Sequence, residues 1–203
     1  MKRVSDDDLI AHPVLRRLAR ALAERPGSLA PDDGEPRRAA VAIVLRETAA
    51  GTLELLLIKR SVREGDPWSG QMALPGGRQE PGDSTLQDTA IRETREETGI
   101  DISGDGMVLG TLDELRPRVS VLPSIIVTPF VAVVRPELEM TTSEEVAEAF
   151  WVPLASLLDP EMRVESTVDA SGSMLRVPSY RLGENIVWGM TERMLDQLLR
   201  LLD

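Results

Sequence analysis

The chain has 203 residues, 42% of them hydrophobic and 28% charged, and a formal net charge of −11, a balance that argues against non-specific binding to nucleic acid or to an anionic membrane. It has no cysteine and one histidine, so disulfides, thiolate nucleophiles and zinc–sulfur sites are excluded and oxygen ligands and carboxylates are left to carry the chemistry. No apolar run approaches the ~20 residues of a membrane span, and the length predicts one domain with a sizeable core.

Residues 5–24 read as an amphipathic helix, with Leu9, Ile10, Leu15, Leu18 and Leu22 at helical spacing and Ser5 and Asp6 to Asp8 at its positive end. His12, beside Pro13, reads as a surface or capping residue. The opening MKRVSDDDLIAHP lacks the apolar core of a secretory signal, which makes the cytoplasm the expected compartment. Residues 25–37 are turn-forming, and the main domain is expected over 38–203. Two short apolar runs, 39–46 and 53–60, read as buried strands joined by a hairpin turn at AAGT. A loop over 61–71 then leads through MALP to a paired glycine.

From Gly76 to Ile100 the chain is a loop rich in Gly, Pro and Asp followed by a helix. Ser84 or Thr85 can cap its start, and Gly99 can end it in the left-handed conformation. Glu93, Glu96 and Glu97 stand at i, i+3 and i+4, which sets three carboxylates on one face within a turn. Such a face repels itself unless a cation neutralises it, and Mg2+ or Mn2+ prefers carboxylate oxygen. A loop without side-chain bulk beside it lets backbone and phosphate approach closely.

Beyond this helix, 107–115 and 124–134 read as strand-like, with Pro129 marking the latter as an edge or a bulge. A strand ending at Val152, a short helix at PLASLL and a hairpin over 164–180 around ASGS follow. A closing helix is predicted from about Ile186 to Leu202, its apolar face made of Met190, Met194, Leu195, Leu198 and Leu202. This order predicts an α/β fold: a mixed sheet with helices on its faces.

The stretch 76–100 resembles the Nudix box, G-x5-E-x7-R-E-U-x-E-E-x-G-U with U apolar. Arg92, Glu93, Glu96, Glu97, Gly99 and Ile100 match, whereas Thr94 stands where an apolar residue is usual. Asp83 replaces the first Glu, and eight residues rather than seven separate it from Arg92. That variant is similar to the box of the coenzyme A pyrophosphatase branch. The tail GENIVWGMTERML also resembles the C-terminal helix of that branch, in which Trp-Gly-Met-Thr recurs.

The resemblance covers residues 39–160 and implies an α/β/α sandwich with a mixed sheet, plus N- and C-terminal helices. It implies that Glu93, Glu96 and Glu97 ligate Mg2+ or Mn2+ with the Gly76 carbonyl, and that Arg92 faces away from the metal to pair with Asp83. Glu145, six residues before Trp151, matches a further metal-binding Glu of some members, with Glu144 as the fallback. Glu93, Glu97 and Glu145 are thus the candidate bases.

The branch's signature upstream of the box is met by Leu56, Leu57, Lys59, Arg60, Ser61, Gly70, Pro75, Gly76 and Gly77. It departs at Leu74, in place of Phe, in a spacing from Ser61 to Gly70 that is one residue longer, and at Asp66, where the family has an Arg; Arg63 lies nearby but out of register. Phosphate contacts are expected from Lys59, Arg60, Arg63, Arg78, Arg116 and Arg118, and Trp68 is a candidate to stack on an adenine. The activity implied is hydrolysis of a pyrophosphate linkage in coenzyme A or an acyl derivative. The alternatives are another nucleoside diphosphate compound (ADP-ribose, NADH or a dinucleotide) and a binding module without catalysis. The amphipathic terminal helices are compatible with a homodimer.

Overall fold

The computed structural model describes residues 6–65, 68–117, 124–170 and 173–202. The expected N-terminal helix is two pieces, α1 (Asp6–Leu9) and α2 (Pro13–Glu24). Proline has no N–H to give and forces the residue before it out of the helical region. His12 accordingly sits at φ −63°, ψ 132°, and its side chain accepts from the Val14 N–H. Ser5 lies outside the described residues.

The strands are β1 (Arg37–Glu47), β2 (Leu53–Arg60), β3 (Met72–Ala73), β4 (Gly76–Arg78), β5 (Gly106–Thr111), β6 (Ile125–Val134) and β7 (Val146–Pro153). They form one mixed sheet in the order β3-β2-β1-β6-β5, with β4 pairing β1 and β7 pairing β2. β1 runs parallel to β6 and antiparallel to β2 and β4. Strand alternation divides its side chains between two cores. Ala39, Ile43 and Leu45 join α2 on one face, together with Leu195 and Leu198 from the C-terminal helix. Ala40, Ala42 and Val44 pack on the other face with Ala90, Ile100 and Ile102. Helices therefore cover both faces of a mixed sheet, the predicted α/β/α arrangement.

Pro129 lies in neither an edge strand nor a bulge of its own strand: β6 is central, between β1 and β5, and wholly buried. Its missing donor falls where β5 has just ended, and its carbonyl accepts from the Leu112 N–H at 3.0 Å. The irregularity is in β5 instead, between Val108 and Gly110.

The acidic helix is α3 (Leu86–Thr98). Thr85 caps it, in a reciprocal capping box with Asp88, and Gly99 closes it at φ 75°. A cap of this kind contributes about 1 kcal/mol. Thr94, the polar departure from the box pattern, is fully buried, and its hydroxyl donates to the Ala90 carbonyl at 2.7 Å. The hydroxyl is satisfied within the helix, so the position serves as a small packing residue.

The remaining elements are α4 (Ile102–Asp105), α5 (Leu154–Leu158), β8 (Arg163–Ala170), β9 (Ser173–Leu182), β10 (Asn185–Trp188) and α6 (Gly189–Arg200). β8, β9 and β10 make a small antiparallel sheet. The hairpin over 164–180 is present, its turn at Ser171 and Gly172 lying outside the described residues. The closing helix starts three residues later than predicted, at Gly189 rather than Ile186, because 185–188 pair with β9 as a strand. Among the described residues no helix is long and apolar enough to cross a membrane.

Candidate active site

A cavity of about 520 Å³ opens between the acidic helix, the glycine pair and the C-terminal elements. That size lies within the range of small-molecule sites. The glycine pair brings helix and sheet together. Gly76 lies opposite Val41 in the ladder, and a Cβ there would stand 2.3 Å from the Ala40 carbonyl oxygen. At Gly77 a Cβ would stand 2.3 Å from Glu93 Oε1. Only glycine lets β4 lie against β1 on one side and against a carboxylate on the other.

Glu97 is the deepest of the acids, with 4% of its side chain exposed, against 16% for Glu93 and 59% for Glu96. Its Oε2 accepts from the Gly76 N–H at 2.9 Å, and its Oε1 stands 3.8 Å from Arg60 Nη1. Burial pushes the Glu97 carboxyl up to about 7, further than the Gly76 amide and Arg60 pull it down, with Glu93 and Glu145 adding to the rise. Burial also raises Glu93, against the pull of Arg92. Two neighbouring carboxylates that resist ionisation are an environment in which a cation would be strongly held.

The box acid Asp83 and Arg92 are joined bidentately: Nε and Nη2 each donate to the Asp83 carboxylate at 2.9 Å. Arg92 holds Asp83 well below the usual carboxylate range, aided by the Glu80 N–H and the Thr89 hydroxyl. The Arg92 guanidinium does not turn wholly from the acidic face, however. Its Nη1 donates to Glu93 Oε1 and to Glu96 Oε2, both at 3.0 Å. Glu96 lies one turn beyond Arg92 on the helix, within reach of the same guanidinium. Among the described residues no three ligand-type side chains converge on one point: Glu93 and Glu96 are held by Arg92, and Glu97 by Gly76. The donor set is nonetheless all oxygen and partly desolvated, which fits Mg2+ or Mn2+ in chemistry.

Glu145 reaches the cavity because the end of α3 is tied to the loop before β7. The Glu97 carbonyl accepts from the Ser143 N–H, and the Thr98 carbonyl from the Thr141 N–H. Glu145 pairs with Arg63 at 2.9 Å, and its carbonyl accepts from the Ser61 N–H. Glu144 offers its carbonyl to the Ser61 hydroxyl and does not border the cavity.

The expected phosphate ligands divide. Arg60, Arg78 and Trp68 border the cavity. Lys59 instead donates to Asn185 Oδ1, tying β2 to β10. Arg63 is engaged with Glu145, and Arg116 pairs with Asp33 at 2.9 Å, away from the cavity. A basic side chain in sequence thus served as a structural tie, a distinction only the fold draws. Arg118 and Asp66 lie outside the described residues. The cavity residues unanticipated in role include Gln71, Glu80, Leu175, Val177, Trp188, Met190 and Arg193. The Trp-Gly-Met-Thr stretch was the available signal for two of them.

A model of the NUDIX domain matches residues 36–168. A mitochondrial coenzyme A diphosphatase of Homo sapiens is 32% identical over 171 residues, covering 82% of this chain and 70% of that protein. A peroxisomal coenzyme A diphosphatase of Caenorhabditis elegans is 36% identical over 123 residues, covering 60% of this chain and 50% of that protein. The chain spans about half the length of several of the curated relatives it matches. The crystal structure of a MutT/nudix family protein from Enterococcus faecalis shares the fold, with a TM-score of 0.58 at 18% identity, over 98% of this chain and 73% of that one. The cytoplasmic expectation is corrected here: the relatives whose names state a compartment are mitochondrial, peroxisomal or chloroplastic. The lack of an apolar core in residues 1–13 does not bear on these compartments, because mitochondrial and chloroplast import sequences are amphipathic and need no such core.

Proposed function

Because the chain belongs to the Nudix family, we propose that it is a divalent-metal-dependent pyrophosphohydrolase acting on coenzyme A or an acyl-coenzyme A. The products would be 3′,5′-ADP and phosphopantetheine or its acyl form. One observation carries the reading of the site: a buried carboxylate, Glu97, borders a ligand-sized cavity together with Glu93, Arg60 and the glycine pair. The substrate assignment draws its support from relatives named as coenzyme A diphosphatases.

Glu93, Glu96 and Glu97, with the Gly76 carbonyl, would hold Mg2+ or Mn2+. When bound, the cation supplies Lewis acidity that offsets the negative charge of the diphosphate. Water adds to one phosphorus, the bridging P–O bond breaks, and the bridging oxygen leaves on the other phosphate. The proton of that water passes to a carboxylate bordering the cavity, Glu97, Glu93 or Glu145. Arg60 and Arg78, which border the same cavity, orient the phosphate oxygens. The Gly76 N–H fixes the Glu97 carboxylate, so the acceptor is positioned before substrate arrives.

The test is a panel of coenzyme A, ADP-ribose, NADH and a nucleoside triphosphate with Mg2+ or Mn2+. Preferential release of 3′,5′-ADP is the expected result. Equal turnover across the panel would remove the coenzyme A assignment and keep the reaction, and no hydrolysis of any member would remove both. Gly77→Ala gives a separate check of the metal site. Its Cβ would displace the Glu93 carboxylate, the far end of a flexible side chain, so the fold is expected to persist. Mn2+ affinity, read by calorimetry, should fall by about tenfold or more; unchanged affinity would remove Glu93 from the ligand set.

A further inference from the structure

The cavity is mixed in chemistry. Carboxylates and Arg60 border it, and so does an apolar group from the C-terminal elements, the C-terminal wall: Leu175 and Val177 from β9, then Trp188, Met190 and Met194 around the start of α6. All five lie beyond residue 168, where the match to the family's domain model ends. On β9, Leu175 and Val177 alternate with exposed Met174 and Arg176 and remain only half-buried. Gly189, at φ 70°, turns the chain from β10 into α6, with Trp188 before it and Met190 after it both on the cavity wall. That conformation is the one glycine adopts without strain. The charged neighbours on this turn have partners in the protein. Glu192 stands 3.5 Å from Arg163, and Arg193 donates to the Arg116 carbonyl at 2.8 Å. Leu175, Val177, Trp188 and Met190, all half-buried, are thus the apolar surface the wall offers to a ligand, with Thr191 beside them and Met194 buried behind.

Resting on the reading of the site as a pyrophosphohydrolase, we propose that this C-terminal wall is the specificity element and receives an acyl arm carried on the pantetheine side of the substrate. The wall and the carboxylates border one continuous cavity, so a diphosphate seated at Glu93 and Glu97 directs one of its substituents onto Leu175, Val177 and Trp188. These side chains supply dispersion and apolar burial, and no base-reading pattern of donors and acceptors. Selection between substrates is therefore made by apolar contact at this wall.

Equilibrium binding of coenzyme A, octanoyl-coenzyme A and ADP-ribose, measured by calorimetry in EDTA, tests this without hydrolysis. The parent should bind octanoyl-coenzyme A about tenfold or more tightly than coenzyme A, because the added methylenes are removed from water. In Trp188→Ala and in Leu175→Asn that advantage should shrink to about threefold or less, with ADP-ribose affinity unchanged. Leu175→Asn, on the half-exposed hairpin, serves where Trp188→Ala loses its melting transition. Equal binding of the two coenzyme A forms by the parent, or no measurable binding of the octanoyl form, overturns the proposal. So does an advantage that survives in the folded variants. A fall in ADP-ribose affinity in step with the octanoyl form also overturns it, by placing the nucleoside on the wall. Adding Mg2+ afterwards tests hydrolysis separately, so a failure of the enzymatic reading is distinguishable from a failure of the wall assignment.

Discussion

Replacing Glu97 by Gln is expected to lower hydrolysis by on the order of 10²–10⁴-fold and, in the metal-free protein, to raise stability at pH 8. Glutamine keeps an oxygen that can accept the Gly76 N–H, so the local fold is retained while the charge is lost. Burial raises the Glu97 carboxyl from its ordinary 4.5 to about 7. Between those values the unfolded chain releases the proton while the folded protein keeps it. The folded state then binds more protons, and stability falls as pH rises from about 4.5 to about 7. Below that window the group imposes no cost; above it the cost is complete. At about 1.4 kcal/mol for each pH unit, the cost is roughly 3 kcal/mol.

Urea unfolding in EDTA at pH 5 and pH 8, for parent and variant, reads this directly. The parent should lose stability over that interval relative to Glu97→Gln, and Mg2+ should restore much of the loss. A variant with full activity and an unchanged pH dependence would take Glu97 out of the mechanism.

Asp83→Ala is expected to destabilise the protein by roughly 3 kcal/mol at pH 7. The substitution removes both bonds from Arg92, along with acceptors for the Glu80 N–H and the Thr89 hydroxyl. Asp83 has 5% of its side chain exposed, so water cannot fully replace it. Because its folded carboxyl is held below the ordinary 3.8, its contribution is present above that pH and is lost as the pH falls further. The gap between parent and variant should therefore narrow in acid. Arg92 keeps its contacts to Glu93, Glu96 and the Arg78 carbonyl, so Mn2+ affinity is expected to change less than stability. A double-mutant cycle with Arg92→Ala isolates the pair. An unchanged unfolding midpoint in Asp83→Ala would show that the pair does not hold the loop to the helix.

The two sites differ in how far they could be read in advance. Helix α3 was legible almost to the residue, because Thr85, Asp88 and Gly99 act on the chain within a few positions of themselves. The shared face of Glu93, Glu96 and Glu97 follows from helical period alone. Their unequal burial does not: Glu97 is enclosed by β4 and the loop before β7, while Glu96 points outward, and nothing in the spacing separates them. The N-terminal break was also locally written, in His12-Pro13, and a stricter reading of the residue before proline would have placed it.

Misreadings concentrate where distant segments decide. Ile186, Val187 and Trp188 suit a strand as well as a helix over so short a run, and pairing with β9 settled the matter. Pro129 looked incompatible with a central strand, yet β5 stops where its missing donor would be needed. Lys59 and Arg60 are adjacent in sequence. One ties two strands and the other borders the cavity, because successive strand residues face opposite ways.

By itself the sequence determined the acidic helix with its caps, the chemistry available to a chain without cysteine, and the alternation that fills two cores around β1. These depend on interactions within a few residues, or on a period that a chain carries wherever it goes. Only the tertiary structure decided that Gly76 and Gly77 lie against Ala40 and Glu93, that Glu145 reaches the same cavity, and that Leu175, Val177 and the start of α6 border it too. Each of those outcomes needs segments far apart in the chain to meet, and their meeting is set by how the sheet and its covering layers pack.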